Sequence, residues 1–105
     1  MGNVGIGTVN RLKILYTEHL KRRLNIRKIP EDYPRKIYED PEQKFFDAAE
    51  MTKISIKKLY YNNKLRDMMI AYEEKNGNVE IITIHPITEE KVTNRLVRGR
   101  WVKHE

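Results

Sequence analysis

Met68-Met69-Ile70-Ala71-Tyr72-Glu73-Glu74-Lys75-Asn76-Gly77-Asn78-Val79-Glu80-Ile81-Ile82-Thr83-Ile84-His85-Pro86 decides the fold class. Met68, Ile70 and Tyr72 alternate at the two-residue period of a strand with one face buried. Asn76-Gly77 supplies two residues that accept a positive φ, which a type I′ hairpin turn requires. Val79 to Ile84 then forms the returning strand, which ends at His85-Pro86. An antiparallel hairpin is expected at the heart of the chain.

Upstream, Ile54, Ile56 and Tyr60 share one parity over residues 52–61, broken at Lys58, and Asn62-Asn63-Lys64 reads as a turn. Phe45 and Phe46 lead into a further strand candidate. Residues 11–16 form a short strand with Leu12, Ile14 and Tyr16 on one face. Thr17 caps a helix that buries Leu20 and Leu24 and runs to about Lys28, where Pro30 breaks it. A second helix is expected over 31–40, with Pro34 in its first turn, Tyr33, Ile37 and Tyr38 on its apolar side, and Asp40-Pro41 ending it. Downstream, Thr88 caps a terminal helix, Ile87 and Val92 make a hydrophobic staple, Leu96 continues the stripe, and Gly99 sits at the C-terminal cap. The expected architecture is α+β: a strand, two helices, a three- to four-stranded antiparallel meander and a C-terminal helix. Residues 1–10, with Gly2, Gly5 and Gly7, are expected to be a flexible tail, and 11–105 a single domain. The glycines lack the preceding strand and the following Lys-Ser/Thr of a phosphate loop.

The chain has 105 residues and a net charge of +6, which is unevenly spread. Residues 11–36 carry nine Lys or Arg against three acids, and residues 37–52 carry five acids against Lys44. Lys53, Lys57, Lys58, Lys64 and Arg66 restore the positive sign, and Arg95, Arg98, Arg100 and Lys103 extend it. Basic blocks of this kind suit a polyanion, whose counterions are released on binding, and equally suit a solvated lysine-rich surface. No apolar run is long enough to span a bilayer, so no membrane partner is expected. The absence of a signal-peptide pattern at the start of the sequence makes the cytoplasm the expected compartment. With no cysteine, disulfides and thiolate metal sites are excluded. His19, His85 and His104 show no ligand spacing, so neither a metal nor another cofactor is expected.

His19 and Arg23 stand one helical turn apart and share a helix face. An imidazole passes protons near neutral pH, and a guanidinium holds a phosphate in a fork. That combination suits RNA cleavage. The competing readings are a His19 bonded near the helix start and an Arg23 paired with Glu39 or Asp40. Arg22, Arg27, Arg66, Arg95, Arg98 and Arg100 are candidate nucleic-acid contacts. Trp101 either stacks a base beside the last three or folds back to anchor the tail or a dimer interface. His85, between a strand and a helix, is either near an anion at the helix N-terminus or a turn residue packed on Pro86.

The His19-x-x-x-Arg23 helix, the second helix ending at Asp40-Pro41, and the strands around Arg66-Asp67-Met68-Met69-Ile70 and Glu80-Ile81-Ile82-Thr83-Ile84-His85-Pro86 together resemble a small family of bacterial and archaeal proteins. That family is similar to the superfold shared by barnase, EndoU and RelE-type toxins. The resemblance covers residues 12–87 and implies a RelE-like fold and metal-independent endoribonuclease chemistry, with RNA as substrate and a cognate antitoxin as partner. His19 would transfer the proton and Arg23 would hold the phosphate. Two other readings remain open: a non-catalytic nucleic-acid-binding module, and a homodimeric interaction protein.

Overall fold

The computed structural model describes residues 13–104, so the expected tail at 1–10 lies outside the described residues. The elements are β1 (Lys13–Tyr16), α1 (Glu18–Arg27), α2 (Tyr33–Glu39), β2 (Gln43–Asp47), β3 (Thr52–Tyr61), β4 (Lys64–Lys75), β5 (Asn78–Pro86), α3 (Glu89–Val97) and β6 (Trp101–Lys103). They build one mixed sheet in the order β1-β5-β4-β3-β2-β6. Among the described residues only β1 and β5 pair in parallel.

The α+β class is as expected, while the strand count and order differ from the expected arrangement. The expected antiparallel meander is present as β2-β3-β4-β5, and among the described residues β1 joins β5 and β6 joins β2 to make six strands. Among the described residues the terminal helix is followed by a further strand. A Schellman motif closes α3: Gly99 takes a φ of 77° and its N–H bonds the Leu96 carbonyl, while the Arg100 N–H bonds the Arg95 carbonyl. This turn returns the backbone to the sheet as β6, antiparallel to β2. Leu96 does not continue the buried stripe and is 39% exposed.

The turn chemistry agrees with the sequence. Asn62-Asn63 and Asn76-Gly77 both hold positive φ at the two central hairpin positions. The Thr17 and Thr88 hydroxyls accept from the N–H groups of Leu20 and Lys91, capping α1 and α3. One boundary is set differently. Lys28, not Pro30, ends α1, with a left-handed φ of 57°. The Ile29 N–H returns to the Leu24 carbonyl, and both side chains are buried together. A lysine in this conformation carries a Cβ clash that glycine avoids. Lys28→Gly is therefore expected to stabilise the fold by about 0.5–1 kcal/mol, after allowing for glycine's greater unfolded-state entropy. Urea denaturation checks this, and a lower midpoint would contradict it.

Both faces of the sheet are covered. α1 and α2 place Leu20, Leu24, Ile29 and Ile37 on Met68, Ile70, Tyr72, Val79, Ile81 and Ile84. On the opposite face Ile87 and Val92 pack with Phe45, Ile54, Ile56, Met69 and Trp101. β4 is therefore buried on both sides at Met68, Met69 and Ile70, which explains its continuous apolar run.

A β-bulge completes the geometry. Ala71 pairs with Thr83 and Tyr72 with Ile81, leaving Ile82 as the extra residue. Without it, residues 79, 81, 83 and 85 would share one face. With it, Val79, Ile81 and Ile84 face the α1 layer, while Thr83 and His85 stand beside Ala71 and Met69 on the α3 side.

Candidate nucleic-acid interface

Burial of Leu20 and Leu24 fixes the rotation of α1 about its axis. One flank then carries His19, Arg22, Arg23, Ile26 and Arg27, which line an open depression of about 280 Å³. His19 is exposed and Arg23 half-buried. The Arg23 Nε is buried and has no hydrogen-bond partner among the described residues. An unsatisfied donor of this kind costs roughly 1–3 kcal/mol, and an anionic oxygen would satisfy it.

The expected alternative, Arg23 paired with Glu39 or Asp40, does not form. Glu39 pairs with Arg35 at 3.6 Å and Asp40 with Lys57 at 3.0 Å. The contrast is wider than this one residue. Lys53, Lys58 and Arg100 also hold carboxylates, at 2.6, 2.9 and 3.3 Å. Among the described residues, Arg22, Arg23, Arg27, Arg66 and Lys91 hold none.

The bulge turns His85 to the α3 side of the sheet. Its Nδ1 lies 3.0 Å from the Pro86 carbonyl. A carbonyl only accepts, so Nδ1 carries the proton and Nε2 keeps its lone pair. Burial lowers the imidazole pKa below its ordinary value. The bond to Pro86 opposes that shift, and the charges of Arg23, Lys91 and Arg27 reinforce it. Burial therefore favours the neutral imidazole at His85.

Arg66 joins the same end of the sheet through Tyr61. The Tyr61 hydroxyl donates to the Arg27 carbonyl at 2.8 Å, and its own carbonyl accepts from the Arg66 Nε at 2.8 Å. Tyr61 thus links the end of α1 to Arg66 on β4.

Arg95 and Arg100 are placed elsewhere. Arg100 pairs with Asp47, and the Arg95 guanidinium lies 5.5 Å from the centroid of the Trp101 ring. Trp101 is 2% exposed and stacks on Phe45 at 5.3 Å, so it anchors β6 within its own chain. Arg98 is exposed at the end of α3. His85, Thr83, Thr52 and Arg95 share a second hollow, of about 340 Å³, on the α3 face.

Lys91 carried no signal in the sequence beyond its charge. His85 was visible as a strand-ending histidine, but its face depends on a bulge that has no local signature. Among the described residues no group of three or more His, Asp or Glu is placed to hold a metal, and no helix is long and apolar enough to cross a membrane. Comparison of the chain with protein-family models, curated proteins and solved structures gave no match.

Proposed function

We propose that this chain is a toxin-like endoribonuclease that cleaves RNA without a metal, at the α1 flank and the adjoining end of β5. The observation that carries the reading is the α1 flank, where Arg22, Arg23 and Arg27 line one depression with His19 and the buried Arg23 Nε has no partner among the described residues. Arg23 is common to both histidines: it shares the depression with His19, and its charge bears on His85.

The chemistry follows from those groups. A general base removes the proton from a ribose 2′-hydroxyl, and the 2′-oxygen bonds to the adjacent phosphorus. The bond from phosphorus to the 5′-oxygen breaks, and an acid returns a proton to that oxygen. The products are a 2′,3′-cyclic phosphate and a 5′-hydroxyl. His85, neutral with Nε2 free, fits the base. His19, exposed on the α1 flank, fits the acid. Arg23 stabilises the charge that builds on the phosphate, while Arg22, Arg27 and Arg66 position the strand. Such a protein would act in the cytoplasm and slow growth when expressed, and an antitoxin would restrain it.

Cleavage of a mixed RNA pool in EDTA, comparing wild type with His19→Ala, tests this reading. Cleavage by the wild type that falls in the variant supports it. Equal cleavage by both removes His19 from the mechanism. RNA retained but uncut makes the protein a binding module, with log affinity falling by about 0.7 per contacted phosphate for each tenfold rise in salt.

A further inference from the structure

The proposed chemistry uses one side chain of the α3-face hollow, His85, and leaves the rest of that hollow unassigned. Its volume of about 340 Å³ lies in the range of small-molecule sites. His85 and Glu73 stand at its two ends. His85 pairs with Met69, and Glu73 lies four β4 residues further along the same face, a rise of about 13 Å. Between them the cross-strand pair of Ala71 and Thr83 is small, which leaves the space open. Thr52 from β3 and Arg95 from α3 form the flank toward Trp101.

The charges that line the hollow nearly cancel. Arg100 is held by Asp47 and Glu50 at 3.3 and 3.8 Å, which leaves Arg95 as a donor and Glu73 as an acceptor. Arg95 lies over the Trp101 ring at 5.5 Å and holds no carboxylate among the described residues. Glu73 pairs with Lys75 at 3.4 Å, and an ionised carboxylate keeps lone pairs for a second donor. A phosphate gains little from such a place. An uncharged ring with its own donors and acceptors is well matched to it. The hollow also has an approach from the sheet edge. β1 pairs with Asn78 to Ile81 and stops, so among the described residues no strand lies beside the outer edge of β5 beyond Ile81. A polynucleotide crosses there between the two faces of the sheet.

We propose that the hollow receives the base of the nucleotide whose 2′-hydroxyl is deprotonated, and that Glu73 selects bases bearing an exocyclic amine. The base is attached to the ribose carbon next to the one carrying that hydroxyl. A 2′-oxygen within hydrogen-bond reach of the His85 Nε2 therefore brings its own base to the cavity that His85 lines. Adenine, cytosine and guanine each present an amine to a carboxylate, and uracil presents none. Thr52, Thr83 and Arg95 serve the acceptors of the ring. The inference rests on the cleavage reading above.

The test uses five 9-nucleotide strands, deoxy throughout except at the central position. That position carries a ribonucleotide of adenine, cytosine, guanine or uracil, or an abasic ribose. Each strand holds one 2′-hydroxyl and so has one cleavable bond. In EDTA, kcat/KM is expected to be about 5- to 150-fold higher for adenine, cytosine and guanine than for uracil. Glu73→Leu is expected to bring those three down to the level of uracil, and Glu73→Gln, which keeps an acceptor oxygen, to keep the order. Ala71→Leu, which fills the floor, should shrink the difference between base-bearing and abasic strands. Thermal melts report whether each variant keeps its fold. A wild type that cuts uracil or the abasic ribose as fast as the other three overturns the pocket and leaves the nuclease standing. A folded Glu73→Leu variant with the wild-type order also overturns it. Cleavage of none of the five strands overturns the cleavage reading itself, and the pocket with it.

Discussion

Asp47→Ala is expected to destabilise the fold by about 3 kcal/mol, lowering the melting temperature by roughly 10–20 °C. Asp47 is 4% exposed at the end of β2, and its carboxylate is a junction. Oδ1 accepts the Ala49 and Glu50 N–H groups at 2.9 and 3.0 Å, which folds the turn into β3. Oδ2 accepts the Trp101 indole N–H at 3.1 Å, and the Arg100 Nε lies 3.3 Å from Oδ1. Alanine leaves the buried indole N–H without its partner and frees the turn, so the penalty exceeds that of one lost hydrogen bond. Asp47→Asn keeps an acceptor for the turn and should cost less. The carboxyl also makes stability depend on pH. Burial acts to raise its pKa, but the Glu50 N–H, Arg100 and Trp101 outweigh that and hold it below 3.8. The stabilisation is therefore complete above about pH 4 and is lost as pH falls through the folded value. Urea melts of wild type and Asp47→Asn from pH 7 to pH 2 should converge at the acid end. A loss below about 1 kcal/mol in Asp47→Ala would show that the junction is dispensable.

This junction also shows what the sequence conveyed and what it hid. Turns and caps were legible because their chemistry is local: Asn76-Gly77, Asn62-Asn63, Thr17 and Thr88 act within three residues of themselves. The β2–β6 pairing was not. Asp47 and Trp101 meet across 54 residues, and three residues of β6 carry too little periodicity to announce a strand. Residue parity failed twice, for different reasons. At Tyr60 the alternation was real, but the core ended before the strand did. At Ile82 the bulge reversed it, because register is set by pairing with β4. The candidate site followed the same division. The shared face of His19 and Arg23 came from helical spacing alone. The placement of His85 on the α3 side required the tertiary fold, as did the finding that Glu39 and Asp40 were already occupied by other cations.

If the cleavage reading holds, His85→Ala will lower the rate of metal-independent RNA cleavage by about 10²–10⁴-fold, the usual contribution of a positioned proton-transfer group. The pH profile separates this from a structural loss. A base must be neutral to act, and burial with the nearby cations lowers the pKa of His85 below the ordinary 6.5. The acid limb of kcat/KM should therefore fall below pH 6.5, with activity at its plateau by neutrality. Arg23→Ala should act on two observables at once. Losing the phosphate ligand should cut the rate by about 10²–10³-fold. Losing a positive charge near the imidazole favours its protonation, so the acid limb should move to higher pH. An arginine that only held α1 in place would alter the rate without moving the limb. If instead the residual activity of His85→Ala keeps the wild-type limb, another group is the base, and Arg23 acts on the phosphate alone.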